Sequence, residues 1–326
     1  MRIQLCLIVL LVCLPAPALA WSDEGHKAVA QIALTLLEAQ DPAAAQWWKA
    51  SMRSLPPPLG KPYHPEPVGA ATWPDDIRTS SLDHPTWHYR DLGVSFDGTE
   101  IPSAFKLHAP CTDCDQDALC LLLRLVNDDL PEDFLGCRCS TSAEHLAARL
   151  AWIEHLVGDV HQPLHAASLV GSGFGQTGDQ GGNLFFVRLP CTKPIAPVKL
   201  HMYWDNIFML HAIGYAGDID PLVQLAAPDP RSPLPAFPAG RAAQTDVVKG
   251  WLLRSQALSR DAVYCELVQA AHLDQPHAQV PDLQHPVALP ADYFASSLEV
   301  AKVRIGEAGI QLASVIEYAY QHRAGC

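Results

Sequence analysis

The stretch WIEHLVGDVHQPLH, Trp152 to His165, constrains this chain more than any other. His155 and Asp159 are four residues apart, so on a helix they stack on one face. Leu150, Ile153, Val157 and Val160 recur at helical spacing on another face, and Ala151, Trp152 and Leu156 leave little polar surface. A helix apolar nearly all round is a buried one. An imidazole and a carboxylate buried side by side need a partner that satisfies both. A metal ion does so, and zinc accepts His and Asp as ligands. Pro163 cannot continue the helix, so the chain turns and presents His165 just beyond its end. A core His–Asp hydrogen bond with a capping His accounts for the same residues, and the stretch alone does not choose.

The chain of 326 residues can bury a large core. Residues 1–20 read as a signal peptide: Arg2 is the positive start, Leu5 to Leu14 the apolar run, and Ala18-Leu19-Ala20 the cleavage site. That run is too short to span a membrane, and no later segment is long and apolar enough. The expectation is an exported protein, periplasmic or secreted, with no membrane anchor. Its mature part, residues 21–326, begins at Trp21 and forms one domain. Cys6 and Cys13 leave with the signal. Cys111, Cys114, Cys120, Cys137, Cys139, Cys191, Cys265 and Cys326 remain. An even number in an oxidising compartment reads as disulfides, although the pairing stays open. A cysteine zinc site from Cys111-x-x-Cys114 and Cys137-x-Cys139 is the weaker alternative. The formal net charge is −13, and loss of Arg2 makes it one unit more negative. A protein that tracks phosphates by charge alone would be basic. Positive charge for phosphate chemistry would have to come from bound metal.

Along the mature chain, Ser22 is a candidate N-cap, and Ala28, Val29, Ile32, Ala33, Leu36 and Leu37 form a helical stripe ending before Asp41-Pro42. Residues 54–70 read as loop. Residues 71–92, ATWPDDIRTSSLDHPTWHYRDL, mix aromatics with charges and have no long period. A short helix is expected near Asp117 to Asn127. Thr141 and Glu144 have capping-box spacing and open the central helix. Residues 170–183 are a Gly-rich loop, followed by a strand-like run, Leu184 to Leu189. Leu200 to Leu210 reads as helix, 214–240 as Pro-rich loop, and helices resume at about 241–270 and 290–320. The fold class is mainly α, one compact helical domain with a short strand or hairpin near 184–189.

Further candidate ligands are scattered as they would be around one cleft. His201 and Asp205 again have i, i+4 spacing among apolar residues; a hydrogen-bonded pair on a helix face explains them too. Asp75 lies in WPDDIR and His88 in TWHYRD, where a capping Asp and a packed His are the plainer readings. His26 follows the mature terminus by five residues. Cleavage after Ala20 would free an α-amine on Trp21, with an ordinary pKa of about 8. Deprotonated, that amine can chelate a metal together with its own carbonyl oxygen.

Taken together, W-x4-H at the mature terminus, W-x-D-x-I-R, W-H-Y-x-D, H-x3-G-D-x-H-Q-P-L-H, G-G-N and L-H-x3-W-D resemble the secreted zinc-dependent single-strand nucleases. These are the fungal S1/P1 type, with plant and bacterial relatives that also act as 3′-nucleotidases. The order matches over nearly the whole mature chain, and GEAGIQLASVIEYA resembles the family's last helix. The resemblance implies a helical fold shared with zinc phospholipases C and three zinc ions, Zn2+. One zinc would take Asp75, His88, His155 and Asp159; a second His165, His201 and Asp205; a third the amine and carbonyl of Trp21 with His26 and Asp159. Arg78 and Asp91 match the family's catalytic residues that are not ligands. Asn183 matches a residue near the nucleotide site, and Tyr89 an aromatic position lining the base pocket. The implied substrates are single-stranded nucleic acid and 3′-nucleotides, acted on by a monomer. The implied chemistry is in-line attack of zinc-activated water on phosphorus, with Asp91 orienting the water and Arg78 donating to the equatorial oxygens. The P–O3′ bond breaks and 5′-mononucleotides leave. Aromatic stacking needs unstacked bases and so favours single strands.

The sequence departs from that pattern at Pro74, which precedes Asp75 where a small residue is usual, and at Asp76, a second carboxylate beside the ligand. Residues 111–139 and 271–289 match nothing in it. A zinc phospholipase C on the same fold is the nearest rival, but W21-x4-H26 and His201-x3-Asp205 favour the nuclease. A disulfide-bonded binding protein with structural zinc is the rival from another class. Structural sites are closed and usually cysteine-rich, which His and Asp with acid and Arg neighbours are not.

Overall fold

The first helix, Asp23–Gln40, buries Ala28, Val29, Ile32, Ala33, Leu36 and Leu37, the stripe its spacing predicts. The protein is described by a computed structural model covering residues 21–58, 64–78, 80, 83–107, 117–130, 141–190, 196–213, 218–275 and 278–323. Ser22 stands at the N-cap but makes no side-chain capping bond. Asp41 ends this helix and caps the next, Pro42–Met52, by accepting from the Ala44 N–H. That second helix goes beyond the sequence reading, which stops at Asp41-Pro42; Asp at the cap and Pro at the first helical position are its signal.

The central helix, Ser142–Asp159, opens with the expected capping box between Thr141 and Glu144. From Ala147 to Asp159 every residue is buried, Arg149 and Glu154 included. Around it pack the first two helices, Ala118–Val126 and the last helix, Ala291–Gln321. Asp117 caps Ala118–Val126 through the Cys120 N–H, as the short helix expected there requires. The protein is mainly α-helical, with few and short strands.

Those strands matter because of what they join. Leu92–Val94 pairs in parallel with Ala167–Leu169, in register Leu92↔Ala167 and Val94↔Leu169. This ties the His88–Asp91 segment to the residues just after His165, and the Arg90 N–H reaches the His165 carbonyl at 2.8 Å. Phe186–Arg188, inside the expected strand, pairs antiparallel with Val198–Lys199 and parallel with Val287–Ala288. The second pairing gives residues 271–289 a role in the fold.

Three expectations need correction. Leu200–Leu210 is two short helices, Leu200–Asp205 and Ile207–Leu210, divided at Asn206. The Pro-rich 214–240 contains a helix, Asp220–Ala226, entered through a proline in its first turn. Cys265 is a free thiol, so the eight cysteines expected to pair are not all paired; Cys120 is disulfide-bonded. Residues 1–20, expected to be a signal peptide, and Cys111, Cys114, Cys137, Cys139, Cys191 and Cys326 lie outside the described residues. Among the described residues no helix is long and apolar enough to cross a membrane.

Candidate metal centre

Six separate stretches deliver eight imidazole and carboxylate side chains to one place. The central helix brings His155 and Asp159, both 0 % exposed. The helix ends at Asp159, and a 3-10 turn, Pro163–His165, puts His165 beyond it. Asp75 comes on the one-turn helix Trp73–Asp76, His88 on the 3-10 turn Pro85–His88, and His201 and Asp205 on Leu200–Asp205. His26 comes from the first turns of the first helix. Two of these turns explain why 71–92 shows no period: Trp73–Asp76 and Pro85–His88 are each a single turn, and they deliver Asp75 and His88 inward.

The distances define overlapping groups. His88 Nδ1 lies 3.0 Å from His155 Nε2 and 3.2 Å from Asp159 Oδ2. His155 Nε2 lies 3.8 Å from Asp75 Oδ1. His26 stacks on His155 with ring centres 3.9 Å apart and places Nε2 3.5 Å from Asp159 Oδ1. His165 Nε2 is 3.9 Å from Asp205 Oδ1, and His201 Nε2 is 3.5 Å from Asp205 Oδ2. Three sets have ligand atoms close enough for one ion each: His26 with Asp75 and His155; His88 with His155 and Asp159; His165 with His201 and Asp205. The last set coincides with the second group implied by the sequence. The other two share His155 and divide the remaining residues differently from the groups that the resemblance implies: His26 falls with Asp75 and His155, and Asp159 with His88 and His155.

Trp21 is fully buried beside the cluster. Its indole donates to the Gly158 carbonyl at 3.1 Å, and the next N–H, of Ser22, donates to the Asp205 carbonyl at 2.8 Å. Trp21 and Ser22 are thus pinned between the elements carrying Asp159 and Asp205. The ambiguity at 75–76 resolves: Asp75 faces the cluster, while Asp76 accepts from the Thr72 hydroxyl at 3.2 Å.

Three of the histidines are aimed by backbone. His155 donates Nδ1–H to the Ala71 carbonyl, His165 to that of His88 and His201 to that of Gly181, at 2.8, 2.8 and 2.6 Å. A carbonyl only accepts, so each bond leaves the Nε2 lone pair for the cluster. Gln162, inside H-Q-P-L-H, orients Asp205 by donating to Oδ1 at 2.8 Å. Buried polar atoms are nearly always hydrogen-bonded. Here both ring nitrogens of His26, Nε2 of His88 and of His165, and Oδ1 of Asp159 make no hydrogen bond.

Burial, reinforced by neighbouring histidines, holds His26, His88 and His165 well below the usual imidazole range; burial also lowers His155, against the pull of Asp75. Neutral imidazole is the ligand form. Burial pushes Asp159 and Asp205 well above the carboxylate range. A divalent cation among them reverses that direction and takes both kinds of ligand. The donor set therefore fits a metal ion better than it fits a plain core His–Asp pair.

The remaining candidates border this cluster. Arg78 pairs with Asp75 through Nη2 at 2.7 Å, its side chain 17 % exposed. Asp91 follows His88 by three residues; burial, then the Asp179 charge, pushes its carboxyl up to about 8. Tyr89, between them in sequence, is 41 % exposed. Asn183 closes the Gly-rich loop and donates from Nδ2 to the Gln180 carbonyl at 3.0 Å. The sequence shows no signal for Tyr264, while Gln162 sits inside H-Q-P-L-H and Asp179 in the Gly-rich loop two residues before G-G-N, and neither stands out there as a site residue. Asp179 is fully buried and accepts from the Leu169 N–H, the Ser168 hydroxyl and the Tyr264 hydroxyl.

Comparison with known proteins agrees with this geometry. The family described as S1/P1 nuclease matches residues 21–321. Endonuclease 4 of Arabidopsis thaliana is 24 % identical over 315 residues, covering 94 % of this chain and 91 % of its own. Endonuclease 5 of the same plant is 23 % identical over 338 residues, covering 97 % and 96 %. Endonuclease 1 is 27 % identical over 216 residues, covering 65 % and 61 %.

Proposed function

Since this chain belongs to the S1/P1 nuclease family over nearly its whole length, we propose that it hydrolyses single-stranded RNA or DNA at the P–O3′ bond with three zinc ions, and removes 3′-phosphate from nucleotides. The family is metal-dependent; the number and identity of the ions are part of the proposal. One observation carries it: eight buried imidazoles and carboxylates converge, three of them with Nε2 turned inward by backbone carbonyls.

Asp75, His88, His155 and Asp159 would hold one ion, His165, His201 and Asp205 a second, and His26 and Asp159 a third with the amine and carbonyl of Trp21. The burial of Trp21 beside Gly158 and Asp205 supports that third site. It requires export and cleavage after Ala20, both part of this proposal. Bound zinc lowers the pKa of water and offsets charge on the phosphate.

The chain's own groups do the rest. Asp91, three residues from His88, orients the attacking water and takes up its proton. Burial raises the Asp91 carboxyl to about 8, so it accepts a proton readily once ionised, and cations held in the cluster would favour that ionised form. Arg78, anchored by Asp75, presents a planar guanidinium to the equatorial phosphate oxygens. As the P–O3′ bond breaks, the 3′-oxygen leaves and takes, through solvent, the proton that Asp91 removed from the attacking water, and the phosphate stays on the 5′ side. Tyr89 offers an exposed ring on which an unpaired base stacks, and Asn183 an amide for its edge. A paired base cannot reach that ring, which gives the preference for single strands.

The test is zinc analysis of the mature protein combined with product analysis on RNA. The expected result is zinc in the purified protein, 5′-phosphate products, and activity lost in chelator and restored by zinc. Cleavage undiminished in excess chelator rejects the reading. Hydrolysis of phosphatidylcholine in place of RNA would move the chain to the phospholipase branch of the fold.

A further inference from the structure

The helix Arg241–Leu258 does not end cleanly. It runs into a six-residue π-helix, Ser259–Tyr264, before α-helix resumes at Cys265–Ala270. The Cys265 N–H bonds to the Arg260 carbonyl, the five-residue step of a π-turn. Such insertions are uncommon and tend to occur at functional sites. In an α-helix, residues five apart point about 140° away from each other, at 100° per residue. In a π-turn they come close to one face. Ser259 and Tyr264 are five apart, and both reach inward, Ser259 to the turn that carries His165 and Tyr264 to the turn whose Gly181 carbonyl holds His201.

Ser259 donates to the Pro163 carbonyl at 2.5 Å, within the turn between Asp159 and His165. Ser255, one α-turn earlier, donates to the Val160 carbonyl at 2.6 Å, and Arg304 of the last helix to the His161 carbonyl at 2.9 Å. Tyr264 donates to Asp179 Oδ2 at 2.8 Å. Asp179 then organises the next turn: its carbonyl accepts from the Leu184 N–H at 3.0 Å, across Gln180, Gly181 and Gly182, all at positive φ. Within that turn the Gly181 carbonyl accepts from His201 Nδ1, and the Gln180 carbonyl from Asn183. Gly181 has no room for a side chain, since an added Cβ would lie 2.5 Å from the Leu164 carbonyl oxygen.

We propose that the π-turn is a positioning device and Tyr264 its positioning residue: through Asp179 it sets the Gln180–Asn183 turn, and so the aim of His201 at its metal and of Asn183 at the nucleotide. This rests on the metal reading given above. Tyr264 touches neither metal nor substrate, and acts by keeping the Gly181 carbonyl where His201 Nδ1 must donate. The π-turn itself is anchored from behind, where the Val263 carbonyl accepts from the Tyr293 hydroxyl at 3.1 Å.

The experiment is zinc titration of the mature full-length protein against a competing chelator, for wild type, Tyr264→Phe, Asp179→Asn and the double variant. Phe keeps the ring and removes a single O–H donor. One bound zinc should weaken about tenfold in Tyr264→Phe, at the low end for outer-shell changes. The same ion should weaken in Asp179→Asn, and the double variant should be no worse than the weaker single, since both break one linkage. Unchanged affinity for every ion overturns the proposal. So does an equal loss at every ion, the mark of a tyrosine that merely supports the fold. If Asp179→Asn does not fold, Tyr264→Phe decides by the same two outcomes. Wild-type protein that binds no zinc overturns the metal reading itself, and is thereby told apart from a failure of positioning alone.

Discussion

Backbone carbonyls, rather than other side chains, aim three of the imidazoles in this cluster, and two of those carbonyls, of Ala71 and Gly181, belong to residues that are not ligands themselves. Gly158 shows how little slack there is. A Cβ there would lie 2.8 Å from His26 Nδ1, and that ring is buried and stacked on His155. Gly158→Ala should therefore displace His26 and cost one metal ion per chain, at about 1–3 kcal/mol of stability for overpacking; metal stoichiometry reads it directly. Asp91→Asn should keep the full metal content and lose turnover by about 10²–10⁴-fold, the usual range for a general base. If kcat is unchanged, Asp91 is only structural. Asp179 gives a pH prediction. Burial, opposed by the Leu169 N–H and the Tyr264 hydroxyl, pushes its carboxyl from 3.8 up to about 6. A raised acid keeps its proton in the folded chain at pH values where the unfolded chain has lost it. Its stabilising contribution is full below about pH 4 and lost as the pH rises through 6, a change of about 3 kcal/mol. Relative to wild type, chelated Asp179→Asn should gain stability over that window, read from denaturant midpoints between pH 4 and 7. A difference that stays flat with pH would show that Asp179 titrates normally.

At the scale of elements, the capping box of the central helix is the simplest test. Thr141→Ala removes the acceptor for the Glu144 N–H and should cost about 1 kcal/mol of stability, with zinc affinity unchanged, because the ligands sit at the other end of the helix. Thermal melting and zinc titration together check it. The long helices were legible because their apolar residues recur at a fixed period and their ends carry caps, as in Asp23–Gln40 and Ser142–Asp159. The elements misread or passed over were Pro42–Met52, Asp220–Ala226 and the break at Asn206. Both helices have a proline in the first turn, which reads as loop unless the preceding residue is weighed as a cap, and a helix of two turns such as Asp220–Ala226 has too few residues to show a period. Asp75 and His88 were found as motif members, while the turns that deliver them were not.

For the whole molecule, metal and stability are linked. Ions that bind only the folded cluster stabilise it by about 2.7 kcal/mol at a hundredfold excess over Kd. The thermal midpoint should rise with added zinc and fall in chelator, and a midpoint indifferent to both would count against a metal centre at this site. The His and Asp pairs four residues apart, the buried helix that bears one of them and the family to which they belong were determined by sequence alone, because each is a local pattern in which residue type and spacing carry the physics. Tertiary structure alone decided that Asp75 and not Asp76 faces the cluster, that the Ala71, His88 and Gly181 carbonyls choose the tautomers, and that a π-turn some 80 residues downstream grips the Asp179 turn. Those are contacts between segments distant along the chain. Nothing in the spacing of either partner encodes them until the core has packed.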